Sequence, residues 1–416
     1  MNLQFYAQFQ LASARNLAMM LLLSTYGWFA PAVMGQTQIS TWEDLHHIRD
    51  NLSSEYILVN DLNENTDGYN TYASELVNDG EGWLPIGRNS DNPFTGIFDG
   101  GGYVIQHLFI NRNSHRIGLF GVVQNGEVKN VYLENINVTG DNYVGGLIGN
   151  NAGLVTSSYA TSTIDGDGNS VGGLIGNNTG LVTSSYATST VNGDGNSVGG
   201  LVGSNNGGNI NSSYALGNVN GGGSGTGGLV GVNAIGGTVR TSYATGAVNG
   251  GGSYVGGLIG SGFGDVTDSF WNTETTGQDE PGEGIGLTTN EMQRPNPFLD
   301  ANWDFWNDDD SGTNGAWGWN PDENDGYPFL RYQGFVDVTF PVVENKVPEN
   351  DETGVEVNTV ITLEFNQDVN EVDLDEVQIT NADTGPVSGL AVTLDGNKLA
   401  LEDAELIQPD VNILAP

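Results

Sequence analysis

A short glycine-flanked apolar word returns six times between residues 118 and 260, and its period constrains the fold more than any other feature. The words are GLFG, GGLIG, GGLIG, GGLVG, GGLVG and GGLIG, with leucines at Leu119, Leu147, Leu174, Leu201, Leu229 and Leu258. The steps between them are 28, 27, 27, 28 and 29 residues. An aromatic register made of Tyr132, Tyr159, Tyr186, Tyr214, Tyr243 and Phe270 advances by 27, 27, 28, 29 and 27. A fixed period of roughly 20 to 50 residues marks a stacked-repeat architecture, because one unit cannot bury its apolar side alone.

The two most similar copies, Val144–Ser170 and Val171–Ser197, show what a unit contains. VGGLIG runs into Asn-Asn and a glycine, LVTSSYATS follows, and a brief Thr-Ile or Thr-Val piece leads to Asp-Gly or Asn-Gly turns. β-branched and aromatic residues with many glycines disfavour helix, and no helical stripe is present. Asn-Gly and Asp-Gly supply the positive φ angles of tight corners. Three short strands and three corners per unit make one coil of a β-solenoid. Coils stacked about 4.8 Å apart bring like residues together. Leucines and tyrosines are expected in the shared interior. The pairs Asn150-Asn151, Asn177-Asn178 and Asn205-Asn206 are expected in corner ladders. The hydroxyls of SSYATS are expected to face solvent.

Charge sits outside this array. The chain has 51 acidic and 11 basic side chains, a net charge of −40 over 416 residues. Residues 111–269 hold 8 acids and 4 bases, whereas 337–416 hold 18 and 2. Such an imbalance repels phosphate backbones and anionic lipid, which argues against nucleic acid as a partner. It fits a solvated extracellular or salt-adapted surface. With no cysteine in the chain, disulfides, thiol nucleophiles, cysteine-metal sites and an acylated-cysteine anchor are all excluded. Residues 1–35 have one base, Arg15, then an apolar run, then PAVMG, the layout of a secretory leader ending at Gly35, with an uncleaved anchor as the alternative. No later segment is apolar enough to span a membrane, so no integral membrane segment is expected after leader cleavage.

Upstream of the array, WLPIG, FTGIFDGGGYVIQHLFI and EVKNVYLENINVTG alternate apolar and polar residues, as larger and less regular coils would. A helix is expected from Trp42 to Asn51, N-capped by Thr41 and covering the open edge of the first coil. Downstream, DSFWNTETTGQ closes the last copy, and TTNEMQ suggests one helical turn. The repeated word, the FxGxFDGxG stretch and the DSFWNTETTGQ…GLTTNEMQ…WDF…YPFL run together resemble the GLUG-motif family over roughly residues 38–333. That resemblance implies a secreted or surface-exposed bacterial protein, adhesin-like, with a right-handed parallel β-helix. Some members carry a metallopeptidase domain; this chain has no HExxH and only His46, His47, His107 and His115. From Val338 the pattern changes to clean alternation at Ile361, Leu363 and Phe365, with a hairpin around Asp395-Gly396. This is similar to bacterial Ig-like domains of surface-layer proteins, although its final strands are missing or degenerate after Leu401. The expected organisation is a leader (1–35), an N-terminal cap with irregular coils (36–110), the repeat solenoid (111–275), an aromatic-rich C-terminal cap (276–335) and an Ig-like β-sandwich (336–416), all-β throughout.

Candidate sites are sparse. Asp167 and Asp194 hold equivalent corners of adjacent copies, where a shared Ca²⁺ would relieve their repulsion and two solvated turns are the plainer alternative. The run from Asn307 to Gly315 has calcium-loop composition with its glycine at the wrong offset. Trp303, Trp306, Trp317 and Trp319 stand among other aromatics, either as a sugar-stacking platform or as a plug for the solenoid end. Between Val144 and Gly260 the ionisable acids and bases are Asp165, Asp167, Asp194 and Arg240, with no Glu, Lys or His. A glycosidase needs two carboxyl groups flanking its bond, so catalysis on the regular coils is not expected, and no catalytic residue or cofactor is assigned. The sequence favours a secreted or cell-surface, non-catalytic adhesin-like or structural protein with an unidentified glycan or protein ligand. Its rival is a carbohydrate-binding or polysaccharide-degrading solenoid.

Overall fold

The computed structural model describes residues 5–8, 35–279, 283–305 and 315–335, together with six strands between 343 and 403. Two compact units divide it. One comprises residues 28–303 with 324–335; the other comprises 1–27, 304–323 and 336–416.

The first unit is a parallel β-solenoid. Ile148–Thr156 pairs in parallel with Phe120–Lys129 before it, and with Ile175–Asn178 and Leu181–Thr183 after it. Tyr159–Gly166 pairs likewise with Tyr132–Gly140, Tyr186–Ala187 and Thr190–Gly193. A third, narrow sheet stacks Val144–Gly145, Val171–Gly172, Val198–Gly199, Thr226–Gly227 and Val255–Gly256. Each coil therefore has three faces, as its turn residues require. VGGLIG and LVTSSYATS are nonetheless not single strands. The first breaks after Gly145, and the second breaks at Ser157-Ser158, where Ser157 has φ 47°.

Like stacks on like in the interior. The six leucines of the repeated word are 0 to 1% exposed. Ile148, Ile175, Val202 and Val230 form a second column, and Val155, Val182, Ile210 and Val239 a third, all fully buried. At roughly 25 cal/mol per Å² of apolar surface, each such residue contributes about 1.5 to 3 kcal/mol. The tyrosines depart from expectation. Alanines Ala160, Ala187, Ala215 and Ala244 occupy the inward column, and their tyrosine neighbours in sequence point outward because successive strand residues alternate. The interior there has no room for a ring: a Cβ on Gly173 would lie 2.2 Å from the Gly200 carbonyl oxygen and 2.9 Å from the Ala187 Cβ.

Polar ladders hold two of the corners. Asn151, Asn178, Asn205 and Asn233 are fully buried, and each Nδ2 donates to the next Oδ1 at 2.9 Å. Every group not used between coils is used within one: Asn178 Oδ1 accepts from the Gly180 N–H at 3.2 Å, and its Nδ2 also donates to the Gly180 carbonyl at 3.2 Å. The neighbouring column is less regular, since Ser204 stands where Asn177 would repeat and Asn206 reaches Asn177 instead. The other ladder is made by Ser158, Ser185, Ser213, Ser242 and Ser269, which are 0 to 1% exposed. These hydroxyls belong to the interior, contrary to the solvent-facing expectation. Ser185 Oγ accepts from the Ser158 N–H at 3.3 Å and donates to the Thr183 carbonyl at 2.8 Å, so the corner's polar backbone is satisfied where no strand can pair it.

The ends are closed by different devices. A helix at Trp42–His47 begins at Thr41, whose hydroxyl accepts from the Asp44 N–H in a reciprocal capping box; a 3₁₀ turn continues it through Ile48–Asp50. Trp42, Leu45 and Ile48 are fully buried against the first coils. At the far end Trp271 takes the alanine column's place beyond Ala244, filling the space over Gly257. Thr289–Met292 forms the expected helical turn, capped by Thr288.

In the second unit, Val343–Val347, Ile361–Phe365, Lys398–Asp403 and Leu390–Asp395 form an antiparallel sheet in that order. The pairs Leu394–Leu399 and Val392–Leu401 flank the expected hairpin, whose turn at 396–397 lies outside the described residues. A smaller sheet pairs Asp373–Asn381 with Gly385–Val387 and with Phe5–Gln8, inside the stretch read as a leader; cleavage at Gly35 would remove that last strand.

Candidate functional site

The outward tyrosines form a continuous stack. Ring centroids from Tyr132 to Tyr243 step by 4.8, 4.8, 4.8 and 4.9 Å, nearly parallel throughout. The segment 324–335 returns over this stack and covers it. Tyr214 Oη donates to Gln333 Oε1 at 2.8 Å, Tyr243 Oη donates to the Pro328 carbonyl at 2.7 Å, and Tyr332 stacks on Tyr132 at 5.9 Å. Tyr159, at the less covered end, donates to Glu134 at 2.7 Å. Burial pushes the phenols of Tyr159, Tyr186, Tyr214, Tyr243 and Tyr332 above their ordinary value, and neighbouring tyrosines add to this along the stack. A phenol whose ionisation is raised by folding favours the protonated fold. Stability is therefore fully present below about pH 10 and lost as pH rises above it, while the unfolded chain ionises first. Melting temperature is expected to hold up to pH 10 and fall steeply beyond it, and the part of the tyrosinate absorbance at about 295 nm that is lost in Tyr214→Phe should rise only as the chain unfolds, whereas exposed Tyr103 and Tyr254 carry no such coupling. Ionised Tyr214 in the intact fold near pH 10 would contradict a sealed stack.

Of the aromatic candidates, Trp303 roofs this stack rather than plugging the coil end. It is 1% exposed, lies 5.7 Å from Phe270 and 6.3 Å from Tyr243, and donates through Nε1 to the Asp268 carbonyl at 2.8 Å. Trp317 and Trp319, in the other unit, are 1% and 6% exposed. A stacked sugar needs an open ring face, and none of these three indoles offers one. Trp306 and the acidic run through Asn314 lie outside the described residues.

Asp167 and Asp194 do share a corner column, both exposed, following Gly166 and Gly193 in register. Asp141 precedes them in that column, after Gly140, and its carboxylate is 3.3 Å from His115 Nδ1. A register shift between Thr161 and Ser162 shortens that step to 26 residues, which hid Asp141 from a count by 27. Among the described residues no three acids or histidines converge to hold a metal ion. The calcium suggestion thus has no support beyond the shared corner.

A different cluster escaped sequence reading. Four of the chain's eight arginines, Arg49, Arg88, Arg112 and Arg116, line one cavity of about 490 Å³ beside the N-terminal helix. They come from different layers: the 3₁₀ turn, the loop after Ile86, and the approach to the first repeated word. Arg112 is held by the Trp83 carbonyl at 2.8 Å, the Gly82 carbonyl at 3.0 Å and Glu81 at 2.6 Å. Arg49 lies 4.2 Å over the Trp83 ring and donates to the carbonyls of His46 and Leu84. The basic residues are spread over 68 positions of sequence, so no local charge run announces them.

Residues 337–409 match the model of a bacterial Ig-like domain family. Halomucin of Haloquadratum walsbyi is 36% identical over 92 residues, 22% of this chain and 1% of that protein. A presumed Gly-rich membrane protein of Evansella cellulosilytica is 46% identical over 81 residues, 18% of this chain and 9% of that one. The chain therefore spans only a small part of the length of the curated relatives it matches. The crystal structure of a presumed immunoglobulin A1 protease from Bacteroides ovatus superposes with a TM-score of 0.52 over 71% of this chain and 92% of that chain, at 17% identity. That likeness is one of fold, and this chain joins such a solenoid to a bacterial Ig-like domain.

Proposed function

We propose that this chain is a secreted or cell-surface protein of the GLUG-repeat kind, which works by adhesion or structural display and catalyses no reaction. The observation that carries this reading is how the regular coils use their polar side chains. Between Val144 and Gly260 the buried asparagines Asn151, Asn178, Asn205 and Asn233 and the inner serines are bonded in ladders between coils, and the few ionisable groups include no Glu, Lys or His. An acid–base pair for glycoside or peptide cleavage has no place to form there. The Ig-like module, the strongly acidic flanks and the similarity to proteins called halomucin and Gly-rich membrane protein support a surface location. The name of the Bacteroides ovatus neighbour does not transfer an activity, since fold alone does not carry function.

The experiment is cell fractionation of the full chain, followed by exposure of the purified protein to a glycan array with reducing-end release measured in parallel. Recovery at the cell surface or in the medium, with binding and no release, is the expected result. Release of reducing ends would favour the polysaccharide-degrading rival, and recovery in the cytosol would overturn both.

A further inference from the structure

We propose that the cavity formed by Arg49, Arg88, Arg112 and Arg116 binds an acidic oligosaccharide through its carboxylate or sulfate groups. Only 11 basic side chains stand against 51 acids in the chain, so four guanidiniums at one cavity concentrate positive charge on an otherwise acidic protein. Acids offset this charge only in part, through Glu81 at Arg112 and Asp50 near Arg49. Glu81 pairs with Arg112, and Asp50 is bound to His47 at 2.8 Å. The side chains of Arg88 and Arg116 have no hydrogen-bond or ion-pair partner among the described residues, and Arg49 keeps a buried Nε that has none. Two of the guanidiniums are thus held rigidly at the cavity wall by Trp83 and nearby carbonyls, and two remain free to close on a ligand. Planar, forked donors of this kind match carboxylate and sulfate oxygens in pairs.

The crowding of like charge points the same way. Burial lowers Arg49 to about 9, and Arg112 and Arg88 add to the effect; Arg112 is lowered by its own burial and by Arg88, with Glu81 opposing. An anion in the cavity would relieve that repulsion. The remaining lining suits a sugar more than a lone ion. Asn89, Asn92 and Ser114 offer partners for hydroxyls, the half-buried Leu52 and Leu84 offer apolar surface for ring faces, and the volume falls in the range of small-molecule sites. The choice of a saccharide rests on the surface-adhesion reading above, while the choice of an anion rests on the arginines alone.

Isothermal titration calorimetry on the full chain tests this with an oligogalacturonate, a sulfated galactan oligosaccharide, a neutral galactan oligosaccharide and sodium sulfate. At least one acidic oligomer is expected to bind at least about tenfold tighter than the neutral one and to weaken as sodium chloride is raised; which of the two wins separates carboxylate from sulfate. The double variant Arg88→Ala, Arg116→Ala removes two unpartnered side chains. It should lose about tenfold or more in affinity with an unchanged melting temperature. Equal binding of acidic and neutral oligomers, binding of inorganic sulfate alone, or full affinity in the double variant would overturn the proposal. Adhesion of the same variant to a glycan-coated surface separates the two readings. Lost affinity with retained adhesion keeps the site and moves adhesion elsewhere on the protein. Retained adhesion with no oligosaccharide affinity in the native chain sinks the site alone.

Discussion

Leu174→Asp is expected to abolish cooperative folding of the solenoid at ambient temperature. Leu174 is fully buried in the middle of its column, with its N–H bonded to the Leu201 carbonyl and its carbonyl to the Leu147 N–H, each at 3.0 Å. Losing the side chain alone costs about 2 to 5 kcal/mol. The carboxylate that replaces it would sit among leucines with no cation, since the only base between Val144 and Gly260 is the exposed Arg240, and burying it unpaired adds several kcal/mol. The sum rivals the whole stability of a typical domain, roughly 5 to 15 kcal/mol. Coils on either side depend on the same column, so the damage spreads beyond one unit. Far-UV circular dichroism and urea denaturation check it. A variant that keeps the native spectrum and midpoint would mean the coils do not share an interior.

The second large effect belongs to a polar residue. Asn178→Leu fits the volume and is apolar, yet it is expected to destabilise the solenoid by about 3 kcal/mol or more. The Asn151 amide loses its Asn178 acceptor, Asn205 Oδ1 loses its Asn178 donor, and the Gly180 N–H and carbonyl each lose a partner, all around the fully buried Asn178 side chain. Asn196→Ala is the control. Asn196 also bonds to a neighbouring coil, donating to Asn169 at 3.1 Å, but it is exposed and water can replace the amide, so a change of less than about 1 kcal/mol is expected. If both variants unfold at the same urea concentration, the interior ladder is not what holds that corner.

Several features were legible because they repeat or carry a local signature. The leucine period led directly to coil length and stacking, Thr41 marked the helix start, and alternation from Ile361 to Phe365 marked the Ig-like strand. The misreadings have a common origin. Periodicity says that two residues are equivalent in successive coils, but not which way they point. Tyr159 and Ala160 repeat equally well, and only the break at Ser157-Ser158 puts alanine inside and tyrosine out. The same break turned Ser158 from an apparent surface hydroxyl into a buried corner bond. Trp303 was drawn to the coil end by composition, whereas the plug is Trp271, which simply inherits the alanine register at the place where the repeat stops.

What the amino-acid order determined on its own is the one-dimensional part of the structure: how long a coil is, and that coils lie in parallel with like residues in contact. Those properties follow from spacing along the chain, which translation from coil to coil preserves. Tertiary structure alone decided the facing of each column, the return of 324–335 over the tyrosines, and the meeting of Arg49, Arg88, Arg112 and Arg116. These depend on how the backbone turns at a corner and on contacts between residues tens of positions apart, outside the repeat, where no period exists to be read.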